Sequence, residues 1–150
     1  MVFLLLAMIS IEQITPELTW RLRRDVLYPN QKLFEMEMDQ DTYGTHFGAF
    51  NGIKLAGVVS LFQNGTDFQF RKLVIDPAEQ RMGTGSQLLQ YITIYAQENG
   101  GTRIWCNARL SAIGFYLKAG FVQTGQLFNK NGTDYEIVEK EIIRPLSLQE

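Results

Sequence analysis

Cysteine and histidine are nearly absent, with one of each, Cys106 and His46, in 150 residues. A single cysteine excludes an intrachain disulfide, so packing alone must hold the fold. Together the two fall short of the four nitrogen and sulfur ligands that a structural zinc site usually takes, and no metal is expected. Net charge is scarce too. Against 14 basic side chains stand 16 acidic ones, a balance of −2 that gives no basic surface for general nucleic-acid binding. The apolar run MVFLLLAMI at residues 1–9 stops at Ser10 and Glu12, well short of the roughly 20 residues of a membrane span. It also lacks the basic flank and small-residue cleavage site of a secretory signal. The run reads as a first strand buried on both faces, in a chain expected to be cytoplasmic with no membrane partner.

What is present is the composition of a globular domain, 45% hydrophobic and 20% charged. A single domain over 1–150 is expected, burying roughly two-thirds of its unfolded surface. Thr15-Pro16-Glu17 has the form of a helix start, with Leu18, Leu22 and Val26 on one face. Tyr28-Pro29-Asn30 ends that helix. Strand signals then run from Gly44 to Ile75, punctuated by Asn51-Gly52 and Asn64-Gly65. Residues 84–99 form the clearest helix, its stripe made by Leu88, Leu89, Ile92, Tyr95 and Ala96. A short buried strand over 103–107 and a helix over 111–119, capped by Ser111, follow. A last hairpin turns at Asn131-Gly132, and 144–150 is a polar tail. The order β-α-βββ-α-β-α-ββ makes an α/β fold with a mixed sheet.

Residues 73–89, LVIDPAEQRMGTGSQLL, carry the densest chemical signal. A strand runs into a loop holding Gly83 and Gly85, and the loop opens the best helix. Glycines let backbone N–H groups approach a ligand without Cβ obstruction. The helix start adds unpaired donors and partial positive charge. Together they suit a phosphate or pyrophosphate, to which Arg81 would add a cation. The dinucleotide pattern GxGxxG fails at Leu88, and a Walker loop would need lysine after a glycine. A bare Gly-x-Gly is equally compatible with an ordinary turn.

Context narrows the choice. Gln80-Arg81-Met82-Gly83-Thr84-Gly85 resembles the acetyl-coenzyme A signature of the GNAT superfamily of N-acetyltransferases. Val74-Ile75-Asp76-Pro77 resembles that family's strand-four ending, and Ala112 to Phe121 (AIGFYLKAGF) its A-x-x-F-Y-x-x-x-G-F segment. The element order matches across nearly the whole chain. Leu22-Arg23 to Asn30, His46-Phe47-Gly48-Ala49 and Trp105-Cys106-Asn107-Ala108-Arg109 resemble a bacterial subgroup whose members mostly lack assigned substrates.

The resemblance implies a seven-stranded, mostly antiparallel mixed sheet, flanked by helices and splayed between strands four and five. It implies acetyl-CoA as cofactor, with the pyrophosphate over the N–H groups of Met82, Gly83, Thr84, Gly85 and Ser86, beside Gln80 and Arg81. Main-chain groups of Leu73, Val74 and Ile75 would pair with the pantetheine arm, and Val74 or Ile75 would polarise the thioester carbonyl. Phe115 and Lys118 would complete the cofactor contacts. Tyr116, the tyrosine of the F-Y pair, would protonate the departing thiolate, since a phenol of pKa about 10 can serve a thiol of about 8.5; the alternative is a tyrosine packing the helix on the sheet. Asn107, read as the end of strand five, is either a strand-end cap or a pantetheine contact. The implied reaction is transfer of acetyl to a primary amine by direct attack in a ternary complex.

Other candidates stay open. No carboxylate lies between Asp67 and Asp76, so the general base is unassigned among ordered water, Glu35, Glu37, Asp39 and His46. His46 otherwise packs or bonds locally. Cys106 reads as core rather than as a nucleophile. The acids from Glu35 to Asp41 are either a solvated loop or a lure for a cationic acceptor. Trp20, Phe47 and Phe62 read as core. A second functional class is a non-catalytic acyl-CoA-binding module, and an edge strand near the C-terminus makes a homodimer a further expectation.

Overall fold

The computed structural model describes residues 9–143. Most of the expected first strand, at 1–8, and the tail at 144–150 lie outside the described residues. Chain order is β1 (Ile9–Ile14), α1 (Trp20–Leu22), β2 (Thr45–Asn51), β3 (Lys54–Asn64), β4 (Asp67–Ile75), α2 (Thr84–Glu98), β5 (Arg103–Arg109), α3 (Ile113–Lys118), β6 (Val122–Lys130) and β7 (Thr133–Glu141). The seven strands form one sheet ordered β1-β2-β3-β4-β5-β7-β6. The β1–β2, β2–β3, β5–β7 and β6–β7 pairs are antiparallel. β4 and β5 run parallel, and their ladder joins Asp67–Gln69 to Arg103–Trp105 before both strands run on.

Among the described residues β1 pairs with β2 at the edge of the sheet, and its Ser10 and Glu12 are exposed while Ile9 and Ile11 are half-buried. Polar residues at alternate positions are what a strand with one solvated side carries. The last hairpin follows its turn chemistry: Asn131 and Gly132 both take left-handed φ, 52° and 82°, which a two-residue turn of type I′ requires.

The first helix keeps its expected start and two of its three expected inward residues, Leu22 and Val26, but Leu18 turns outward. Pro16 opens a 3₁₀ turn over Pro16–Thr19, α1 follows, and a π turn over Arg23–Leu27 ends it. Thr15 is extended and its hydroxyl caps nothing. Three residues per turn at one end and a wider turn at the other shift the phase of the side chains. Leu18 is therefore 52% exposed, while Thr19, Leu22 and Arg23 are buried. α3 likewise lacks the expected Ser111 cap, because Ser111 sits inside a 3₁₀ turn, Leu110–Ala112, and the cap position is Ala112.

The chain forms two compact units, one from residues 1–61 and 72–91, the other from 62–71 and 92–150. In the first, Leu22, Val58 and Val74 make a buried cluster against which Ile14, Val26, Leu27 and Leu55 pack. In the second, Phe70 and Phe121 meet edge-on at 5.9 Å beside the ring of Tyr116. Of the expected stripe of α2, Leu88, Leu89, Ile92 and Ala96 are buried and Tyr95 is half-buried.

Candidate functional site

The end of β4 delivers the chain into a short, well-braced loop. Asp76 donates its N–H to the Ala56 carbonyl at 2.8 Å, and its carboxylate caps the Ala78 N–H at 3.0 Å. That cap starts a 3₁₀ turn, Pro77–Glu79. Glu79 is buried and accepts from Asn51 Nδ2 at 3.2 Å, with Lys54 Nζ 3.4 Å from its other oxygen. Gln80 folds back, its Nε2 donating to the Ile75 carbonyl at 3.2 Å. Glu79 and Gln80 thereby tie the loop to β2, β3 and the end of β4.

Beyond this brace the backbone turns concave. Arg81 has φ 65° and Gly83 φ 83°, so two left-handed residues flank Met82. Alternating handedness turns successive N–H groups to one side, a nest that accepts anions. A Cβ on Gly83 would meet nothing within 4 Å, so glycine serves conformation there and not space. Gly85 is different: it belongs to the first turn of α2 and has no positive φ. Gln87 donates to the Gly83 carbonyl at 3.0 Å. The N–H groups of Thr84, Gly85 and Ser86 therefore precede the first helical bond, in the set a helix leaves unpaired.

Thr84 supplies the clearest test of fit. Its side chain is 1% exposed and its Oγ1 has no hydrogen-bond partner. A buried hydroxyl left unpaired costs roughly 1–3 kcal/mol, which an anionic oxygen at the helix start would repay. Arg81 and Met82 are exposed alongside it. The expected residues from Gln80 to Ser86, with Leu73, Val74 and Ile75, are thus brought together in one unit, and the donor set suits a phosphate or pyrophosphate.

Lys72, which sequence reasoning passed over, stands just before those three strand residues with φ 55°. Its Nζ donates to the Tyr28 hydroxyl at 2.7 Å and lies 4.8 Å from that ring's centre. A left-handed lysine inside a strand costs on the order of 1–2 kcal/mol. No pattern of residue types announces it.

The second unit holds Tyr116, Phe115, Lys118 and Asn107. Tyr116 is 9% exposed on α3, its ring packed by Phe115 at 5.1 Å, Phe121 at 5.8 Å and Phe70 at 5.9 Å. Burial pushes the phenol well above the usual tyrosine range, and the neighbouring Cys106 adds to the shift. Burial also pushes the Cys106 thiol up to about 12, only partly offset by the neighbouring Tyr116. A thiol that holds its proton so firmly is no nucleophile, which agrees with the core reading. Asn107 lies within β5, paired with Ile137, two residues short of the strand's end at Arg109. It is exposed and its amide bonds no other described residue, so it caps no strand end. Lys118 is exposed in the last turn of α3.

The histidine and one of the acids are occupied by the fold. Arg23, 1% exposed, donates to both oxygens of Asp41 at 2.9 and 3.0 Å, to the Met36 carbonyl at 2.9 Å and to Ser60 Oγ at 2.8 Å. Ser60 Oγ, which accepts from Arg23, also bonds His46 Nδ1 at 2.7 Å. His46 Nε2 donates to the Asp41 carbonyl at 2.9 Å. With both ring nitrogens engaged and 2% exposure, His46 is not available as a base. Burial alone would raise the Asp41 carboxyl, but the bonds from Arg23 and the Met38 N–H outweigh it and hold it below the usual range. Glu35, Glu37 and Asp39 are exposed. Phe47 is core, edge-on to Tyr91 at 5.5 Å, while Trp20 and Phe62 are half-buried. No cluster of metal-ligating side chains occurs among the described residues, and none of their helices is long and apolar enough to cross a membrane.

Known proteins share this architecture. The curated relative YitI, an uncharacterized N-acetyltransferase of Bacillus subtilis (strain 168), is 25% identical over 146 residues, covering 91% of this chain and 98% of the relative. An aminoglycoside 6'-N-acetyltransferase complexed with coenzyme A superposes with a TM-score of 0.76 at 16% identity, over 91% of this chain and 99% of the other. A GNAT family acetyltransferase from Elizabethkingia anophelis with acetyl-CoA bound gives 0.71 at 20% identity, over 89% and 97%. At these identities the two structures establish the fold alone. The family model described as an acetyltransferase (GNAT) domain matches residues 14–141, and the chain therefore belongs to the GNAT acetyltransferase family.

Proposed function

We propose that the chain transfers the acetyl group of acetyl-CoA to a primary amine by direct attack in a ternary complex. The nest at Arg81–Gly83, continued into the start of α2 with the orphan Thr84 hydroxyl, is the observation that carries this reading. Acetyl-CoA supplies an acyl group already activated as a thioester. The protein then needs mainly main-chain donors and one acid. N–H groups from Met82 to Ser86 and the Thr84 hydroxyl hold the pyrophosphate, with Arg81 adding charge and Gln80 bracing the loop. Leu73, Val74 and Ile75 pair with the pantetheine arm, and a Val74 or Ile75 N–H donates to the thioester oxygen. Asn107, Phe115 and Lys118 complete the cofactor contacts.

Tyr116 serves the leaving group. As the acceptor nitrogen bonds to the acyl carbon, the carbon–sulfur bond breaks and its electron pair stays on sulfur. A phenol held above its usual range keeps its proton at any working pH, so Tyr116 acts as donor and never as base. Such a reluctant acid stabilises the thiolate first through a charge-assisted hydrogen bond. The proton lost by the acceptor nitrogen, passing through solvent, balances the one that sulfur finally carries.

Thermal denaturation with acetyl-CoA, followed by thiol release against small amines, amino acids, polyamines, aminoglycosides and peptide N-termini, tests the reading. Ligand at about 100 times Kd stabilises by roughly 2.7 kcal/mol. A shift with thiol release from one amine class is expected. No shift refutes the reading, and a shift with no release from any amine favours the non-catalytic module.

A further inference from the structure

Lys72 is a half-buried cation that no carboxylate of the described residues balances. Its ammonium donates to the Tyr28 hydroxyl at 2.7 Å and stands 4.8 Å from the centre of that ring, and both are neutral groups. Elsewhere shielded cations are matched: Arg23, Arg24 and Arg103 each bind a carboxylate, and Lys140 donates to the Ala119 carbonyl just past α3. An ammonium has three donors, and Tyr28 takes one. Charge drawn partly out of water without a counter-charge is unfavourable. The backbone beneath it is strained as well, at φ 55°. Strain and unbalanced charge coincide at one residue, directly before Leu73, Val74 and Ile75. Val74 clusters with Leu22 of α1, and Tyr28 follows the π turn that ends that helix, so Lys72 and Val74 both reach the α1 side of β4.

We propose that Lys72, held in place by Tyr28, is the subsite for a carboxylate on the acceptor, so that the acceptor is an amino acid or another small amine bearing a carboxylate. This rests on the transfer reading given above, which sets the acetyl-bearing arm against Leu73, Val74 and Ile75. Two to three residues of strand, roughly 7–10 Å, separate Lys72 from the Val74 or Ile75 N–H that meets the thioester oxygen. A short amino acid spans that interval, its amine at the acyl carbon and its carboxylate at the ammonium. One positive charge matches the one negative charge of a carboxylate, and the pair gains a charge-assisted hydrogen bond. The same ammonium repels a second cation, which selects against polyamines and aminoglycosides. The exposed acids Glu35, Glu37 and Asp39 would favour those cations instead, and the experiment below decides between the two.

The test measures thiol release from saturating acetyl-CoA by the full chain. The acceptors are α-, β- and γ-amino acids, each set against its own carboxamide at equal concentration of free amine, with polyamines and aminoglycosides alongside. In wild type kcat/KM should favour the acid over its amide by about tenfold or more at one of the three spacings, the worth of a charge-assisted hydrogen bond. Lys72→Met should abolish that ratio, mainly through KM for the acid. Lys72→Arg keeps the charge and should hold the ratio within about threefold. Tyr28→Phe keeps the ring but releases the ammonium, and should lower the ratio about threefold. A wild-type ratio near one, or fastest release with carboxamides, polyamines or aminoglycosides, overturns the inference and leaves the transfer reading standing. Acid and amide slowed alike in Lys72→Met make Lys72 structural and overturn it too. Should Lys72→Met not fold, the wild-type ratio and Tyr28→Phe decide, and an unchanged ratio in Tyr28→Phe overturns the inference. No release from any amine overturns the transfer reading, and the inference falls with it.

Discussion

Replacing Asp41 with asparagine removes one charge from a place that water hardly reaches. Asp41 is 3% exposed and Arg23 1%, and two short bonds join them. Asparagine fills nearly the same volume but offers a single acceptor oxygen. Its amide nitrogen must face either an Arg23 N–H or the Met38 N–H that Asp41 Oδ2 now accepts at 2.9 Å. The guanidinium is left charged and buried, with no carboxylate bonded to it. Breaking a buried pair in this way costs roughly 3–5 kcal/mol. Against a total stability of about 5–15 kcal/mol, that loss threatens the folded state itself. The melting temperature should fall by roughly 6–20 °C at about 2–4 °C per kcal/mol for a chain of this size. Urea denaturation followed by tryptophan fluorescence should show a lower midpoint at unchanged slope. A combined Arg23→Met, Asp41→Leu variant should recover most of the loss, because an apolar pair leaves no charge stranded. The pH dependence supplies a second reading. Asp41 titrates below the ordinary value in the folded state, so its contribution is full above the unfolded value of 3.8 and is lost as pH falls through the folded one. Asp41→Asn should flatten that acid limb. A loss below about 1 kcal/mol would show the pair behaving as a solvated surface pair and refute the reasoning.

Three further outcomes follow from the geometry. Thr84→Val removes a hydroxyl that bonds nothing in the free protein, so stability should hold or rise while acetyl-CoA affinity falls about tenfold or more by calorimetry; equal affinity would place the phosphates elsewhere. At Lys72, glycine should be better tolerated than alanine by about 1 kcal/mol in urea unfolding, because both lose the Tyr28 bond but only glycine relieves the left-handed strain. The usual strand order, alanine above glycine, would contradict this. The Cys106 thiol is raised from 9.0 to about 12, so only the unfolded thiol ionises between those values and stability falls as pH rises through that window. Cys106→Ala should remove up to about 1.4 kcal/mol per pH unit of that alkaline slope, and an identical slope in both proteins would deny the burial effect.

Local chemistry was readable from residue order, and long-range pairing was not. The Asn131-Gly132 turn, the start of α2 and the loop from Gln80 to Ser86 depend on neighbours within a few residues and stand where turn rules and periodicity put them, whereas the turns expected at Asn51-Gly52 and Asn64-Gly65 fall one residue later, at Gly52–Ile53 and Gly65–Thr66. Arg23 looks like the polar side of an amphipathic helix, and Asp41 like one of several loop acids. Only the fold brings them together across 18 residues, with Ser60 and His46 added from β3 and β2. The same limit hid the approach of Cys106 to Tyr116, which lie on a strand and a helix. Lys72 was illegible for another reason: its left-handed backbone is imposed by tertiary context against its own preference. The 3₁₀ turn before α1 put Leu18 outside while Leu22 and Val26 stayed on the core face, because helical phase was read at a constant 3.6 residues per turn.

The central claim is that a backbone nest and a helix start bind the coenzyme through its pyrophosphate. Titration calorimetry with acetyl-CoA and with acetyl-pantetheine, which keeps the thioester arm but lacks the pyrophosphate and the nucleotide, tests it directly. Tight binding of acetyl-CoA and a loss of about a hundredfold or more for acetyl-pantetheine is the predicted result, since charge-assisted bonds of about 1.5–3 kcal/mol each are removed together. Equal affinity for the two would contradict the account.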